Sequence, residues 1–130
     1  MRLNKLYENS RSEDDELCAV FAWAAMLEGV YPCLELMYHT PNEGKRTAAS
    51  GGRLKAKGLK KGVPDIALPC ARGGYHGLYI ELKVGDGKPT AEQKKYLHAL
   101  DVEGYFVALA YSAAEAIRLI ERYVRGEERA

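Results

Sequence analysis

The chain predicts an α/β domain in which helices flank a mixed β-sheet, and three observations carry that expectation. β-type apolar runs stand at 65–69, 78–84 and 105–111, rich in the residues that fit a pleated, half-buried surface. Capping residues and glycine stops bracket helical stretches from Ser12 to Gly29, Thr90 to Gly104 and Ser112 to Gly126. The connections also differ in kind. The Gly-rich "CARGGYHG" joins the first two runs as a hairpin, whereas the helix-length link to the third run is long enough for a parallel, right-handed crossover.

The elements follow in order. Residues 1–11 read as a loose polar arm. Ser12 caps a helix running to about Glu28, and Leu17, Val20, Phe21, Ala24 and Leu27 form its apolar stripe on a 3.6-residue period. Glu13 projects near the centre of that stripe and Glu16 toward its edge, an unusual place for a carboxylate. Trp23 falls beside the stripe and serves either core or dimer contact. "CLELMYHT" (33–40) reads as a strand stopped by the turn "PNEG". Residues 45–62 form a basic loop in which the glycines allow at most a short helix. Strands 65–69 and 78–84 make the hairpin. Thr90 and Gln93 have capping-box spacing, as do Ser112 and Glu115. The order is α-β-(basic loop)-β-β-α-β-α.

Bulk properties exclude several classes. With 130 residues, 47% apolar and 28% charged, one domain spanning 1–130 is expected. A net charge of +1 announces no nucleic-acid binder, so such a claim must rest on local clustering. Cys18, Cys33 and Cys70 are odd in number and lack CxxC spacing, which fits free thiols in a reducing compartment. The three histidines give no zinc signature; His39 and His98 read as structural. No apolar run approaches a membrane span and the N-terminus is too polar for a signal peptide, so the cytoplasm is the expected location.

Local charge is more informative. Lys45, Arg46, Arg53, Lys55, Lys57, Lys60 and Lys61 lie in a stretch that no acid interrupts between Glu43 and Asp65. They are either a solubilising loop or a set of phosphate contacts, which supply affinity with little sequence information. Tyr75 and His76 at the hairpin tip are placed either to reach DNA or as ordinary exposed loop residues, and Asn42 in "PNEG" is either a site residue or simply a turn residue.

The hairpin poses a sharper question. Side chains alternate along a strand, so Tyr79, Glu81 and Lys83 share one face and Leu78, Ile80, Leu82 and Val84 the other. If partners are equidistant from Gly73, Asp65 falls opposite Glu81. Opposed residues have Cβ atoms about 4.5–5.5 Å apart, where like charges destabilise a sheet. Taken singly these charges mark a wet face or a turn. Taken together they make sense with a cation between them, and hard oxygen ligands suit Mg²⁺ or Mn²⁺.

Pro64-Asp65 followed by Glu81-Leu82-Lys83 resembles the PD-(D/E)XK nuclease core. "GVPDIALP", "GLYIELK", "PTAEQKKYL", "GYFVALAYSAAEAI" and "YPCLELMYHTPNEG" extend the likeness from about Ser12 to Tyr123, and look like the stand-alone VRR-NUC domains of phage and prophage. The resemblance implies a restriction-endonuclease-like core, a mixed sheet flanked by helices. It implies that Asp65 and Glu81 are metal ligands with the backbone carbonyl of Leu82, and that Lys83 is the catalytic lysine. An N-terminal helical glutamate completes the set; Glu13 matches best and Glu16 is the alternative. Gln93 matches a site glutamine. Leu17 departs from the pattern, since many relatives carry glutamine there.

The implied activity is metal-dependent hydrolysis of DNA. Similarity to Holliday-junction resolvases implies a homodimer acting on branched or structured DNA. The competing expectation is a non-catalytic DNA-binding module that partners another nuclease or replication factor. A third is a polar sheet face beside a basic loop, with no site at all.

Overall fold

The computed structural model describes residues 12–41 and 48–130. Its helices are α1 (Glu13–Leu27), α2 (Ala48–Ala56), α3 (Ala91–Val102) and α4 (Ala113–Val124). Its strands are β1 (Tyr38–His39), β2 (Ile66–Leu68), β3 (Leu78–Leu82) and β4 (Phe106–Ala110), arranged in the order β1-β2-β3-β4. The first two pairings are antiparallel and the third is parallel. The mixed sheet flanked by helices is the architecture the sequence predicts. The expected arm, Asn42, Lys45 and Arg46 lie outside the described residues.

The hairpin register is the one symmetric about Gly73: Ile66 pairs with Ile80, Ala67 with Tyr79 and Leu68 with Leu78. One step further out, Asp65 stands opposite Glu81. Alternation then sorts the two faces. Ile66, Leu68, Leu78, Ile80 and Leu82 are buried in one cluster with Val20 and Ala24 of α1 and Ala116, Ile120 and Tyr123 of α4. Each such aliphatic side chain contributes about 1.5–3 kcal/mol by leaving water. The other face is covered lightly: α3 has no buried residue, and Tyr79 is half-buried beside Tyr105 at 5.4 Å. Trp23 packs against the core cluster.

Three local expectations need correction. The run 33–40 is mostly a 3₁₀ helix, Pro32–Leu36, before the two-residue β1. Pro32 suits a helical first turn, and Leu34 buries itself there; a short apolar run cannot be told from a buried strand by periodicity. Glu115 does not close a capping box with Ser112. Its carboxylate accepts the Tyr111 N–H instead, while the Ser112 hydroxyl accepts from Glu115 N–H. Tyr75 is no DNA-facing tip residue. Its ring packs edge-on against Phe106 at 5.4 Å, and its hydroxyl donates to the Arg129 carbonyl.

The cysteines are free thiols. Among the described residues, no helix is long and apolar enough to cross a membrane.

Candidate active site

Two loops and two strand ends converge at the open end of the hairpin. Asp65 follows the buried Pro64 and is anchored on both sides. Its carboxylate Oδ2 accepts the Leu82 N–H at 2.8 Å. Its backbone carbonyl accepts from Thr40 N–H at 3.0 Å and stands 2.9 Å from His39 Nδ1. A carbonyl only accepts, so Nδ1 carries the hydrogen. Asp65 therefore cannot drift from β3 without breaking a charge-assisted bond.

Glu81 is 2% exposed, near the middle of the sheet. Both of its cationic or amide neighbours stand at Oε1. Gln93 Nε2 donates at 3.2 Å, and Lys83 Nζ is 4.0 Å away. Oε2 is buried and receives no hydrogen bond from a donor among the described residues. Burial, above all, pushes the Glu81 carboxyl up to about 9; a proton shared with the Asp65 side chain and the charge of that carboxylate raise it further, against the opposing pull of Lys83. A buried acid facing a second acid wants a positive charge between them, either a proton or a cation. The unmatched oxygen and the all-oxygen donor set fit a hard divalent ion.

Lys83 is 9% exposed and continues the β3–β4 ladder through its N–H to the Ala110 carbonyl at 2.8 Å. Gln93 has two roles at once. Its Oε1 accepts the Thr90 N–H as the capping box of α3, while its Nε2 holds Glu81.

Glu13 opens α1. The Ser12 hydroxyl accepts from the Asp15 N–H and the Asp15 carboxylate from the Ser12 N–H, so the entry to the helix is fixed. Burial raises the Glu13 carboxyl, Lys83 lowers it, and Asp65 and Asp14 raise it again. It lines a cavity of about 200 Å³ with Asp14, Leu17, His39, Pro41, Asp65 and Leu82. Glu16 is buried and is not part of that lining. Among the described residues no three His, Cys, Asp or Glu side chains converge on one metal position. Asp65 and Glu81 adjoin one another, and the charges of Lys83 and Asp65 reach Glu13.

Sequence reasoning missed His39 as a wall of this cavity. The signal lies in the pairing of His39 with Ile66, which seats it one residue from Asp65, but a two-residue strand is invisible to periodicity.

Residues 2–114 match the family model of the VRR-NUC domain, a span that includes Glu13, Asp65, Glu81, Lys83 and Gln93. The chain belongs to the VRR-NUC family. The family is part of the PD-(D/E)XK nuclease superfamily, so the chain is a nuclease-type, DNA-processing module. A solved structure of a VRR_NUC domain protein matches it with a TM-score of 0.78 at 29% identity, over 90% of this chain and 91% of that one. No curated protein matches the chain.

In this VRR-NUC domain the described part of the basic segment leads into a turn that packs on α3. Arg53, Lys55, Lys57, Lys60 and Lys61 are all exposed, on α2 or just after it. Gly62 then passes so close to α3 that a Cβ there would stand 2.6 Å from the Glu92 carbonyl and 2.8 Å from Gln93 N. The segment thus ends against the same helical turn that holds Glu81.

Proposed function

We propose that this VRR-NUC domain, spanning residues 1–130, is a Mg²⁺- or Mn²⁺-dependent DNA endonuclease. The observation that carries the reading is the buried, unmatched Oε2 of Glu81 beside the Asp65 carboxylate. Asp65, Glu81 and the Leu82 carbonyl would hold the ion, with Glu13 acting through water. When bound, the ion supplies a water of lowered pKa and compensates phosphate charge.

The chain's own residues do the rest. Gln93 and Lys83 stand at Oε1 of Glu81, which would leave its other oxygen to the ion. Lys83 offers an ammonium for the attacking water or for charge developing on the phosphate. Arg53, Lys55, Lys57, Lys60 and Lys61, with Lys45 and Arg46, bind phosphates along the strand. The net reaction adds water across one phosphodiester: oxygen bonds to phosphorus, one P–O ester bond breaks, and the leaving oxygen takes a proton. A two-fold pair of such domains, the commonest oligomer, would nick paired strands of branched or structured DNA in the cytoplasm.

The test is cleavage of duplex, flap, single-stranded and four-way DNA with Mg²⁺, Mn²⁺ or chelator. Cleavage that needs the ion and is lost in Glu81→Ala and Lys83→Ala supports the enzyme. Binding without cleavage in the unaltered protein would replace it with the DNA-binding module.

A further inference from the structure

A second concavity shares a wall with the candidate active site. After β3 the chain turns at Gly85 (φ +55°) and passes back over Lys83. Gly87 N–H donates to the Val84 carbonyl at 3.0 Å. A Cβ on Gly87 would stand 3.0 Å from that carbonyl and 3.7 Å from Lys83 Cβ and Cδ. The turn therefore lies directly on the aliphatic stem of Lys83. The turn residues Gly85, Asp86, Gly87 and Lys88, with Tyr111, line a wide-open hollow of about 400 Å³. Tyr111 follows Ala110, whose carbonyl binds Lys83 N–H, so this cavity is at the same end of the sheet as Lys83. The Tyr111 backbone is pinned by Glu115, yet the residue remains 41% exposed.

An exposed aromatic ring on a fixed backbone, above a floor kept low by glycines, suits a flat apolar partner. The two charges of the lining are of opposite sign. Asp86 suits an exocyclic amine, from which it accepts, and Lys88 suits a neighbouring phosphate.

We infer that this cavity is a nucleobase subsite: Tyr111 stacks one base of the strand whose phosphate lies at Lys83. The inference rests on the nuclease reading for its ligand class, and it adds a positioning residue outside the acidic cluster. A stacked base next to the reacting phosphate restrains the strand, so Tyr111 acts on binding and cut position more than on the chemical step.

The experiment compares the full chain with Tyr111→Ala, Tyr111→Phe and Tyr111→Trp. Affinity for a single-stranded or flap oligonucleotide is measured in Ca²⁺, and cleavage in Mn²⁺, with 2-aminopurine walked along the strand to report stacking. Stacking on one aromatic side chain predicts a loss of about 5- to 150-fold in affinity, and a matching rise in KM, for Tyr111→Ala. Phe and Trp should retain affinity, kcat should change little, and quenching should be confined to one position and be absent in the Ala variant. Equal folding of the four is checked by melting.

The outcomes separate the two readings. Cleavage by the unaltered protein with no change in Tyr111→Ala overturns the subsite and leaves the nuclease. DNA binding without cleavage, weakened by Tyr111→Ala, supports the subsite and overturns the nuclease. Absence of DNA binding in the unaltered protein overturns both.

Discussion

At the closed end of the β2–β3 hairpin, around Tyr75, Phe106 and Tyr123, no buried side-chain nitrogen or oxygen among the described residues lacks a hydrogen-bond partner. The Tyr123 hydroxyl donates to the Cys70 carbonyl at 2.6 Å, and Ala130 N–H donates to the Gly73 carbonyl. Burial pushes the Tyr123 phenol up to about 12, so it stays a donor across the physiological range. At the open end, about five residues along the same strands, Glu81 is just as inaccessible but has one oxygen unmatched. The difference teaches where stability is made and where it is given up. Burial favours the closed end and opposes the open end, and a fold keeps such a conflict where a ligand relieves it.

Substitutions at the two ends should therefore move in opposite directions. The largest effect is expected at the open end. Glu81→Gln should lower Mn²⁺-dependent cleavage by about a hundredfold or more, the scale seen when a charge-stabilising group is lost. The same change should raise the melting temperature of the metal-free protein at pH 8, because a neutral amide replaces an acid that burial resists ionising. A variant that is both inactive and less stable would break the contrast.

The next effect is on pH dependence. The Glu81 carboxyl sits at about 9 when folded, against 4.5 ordinarily. The folded state then binds more protons than the unfolded state between those values, so metal-free stability should fall as pH rises through that window. Melting scans in chelator should show the fall, and Glu81→Gln should flatten it. Added Mn²⁺ should stabilise most near pH 8 to 9 and least near pH 5.

A smaller effect is expected at the closed end. Tyr123→Phe leaves the Cys70 carbonyl without its donor and should cost about 1–3 kcal/mol in urea unfolding. Cleavage per folded molecule should be unchanged. A loss of kcat there would show that the ends are coupled.

Much of this contrast was legible in the residues. Alternation put Glu81 and Lys83 on one face, and symmetry about Gly73 put Asp65 opposite, because a tight Gly-Gly turn leaves the register little freedom. The capping box at Thr90 and Gln93 was legible for the same local reason. The bond from Gln93 to Glu81 was not, since it depends on where α3 docks against the sheet. The choice between Glu13 and Glu16 likewise depends on the roll of α1 about its axis, which a stripe containing both could not settle. His39 was missed because β1 is two residues long and its approach to Asp65 is set by a 3₁₀ helix that reads as a strand.

The central claim is that Asp65 and Glu81 together hold one hard divalent ion, and Mn²⁺ titration followed by electron paramagnetic resonance tests it most directly. The unaltered protein should bind Mn²⁺ at pH 8, and Asp65→Asn and Glu81→Gln should each weaken it at least about tenfold while remaining folded. Equal Mn²⁺ affinity in all three proteins, or none in the unaltered one, would contradict the account.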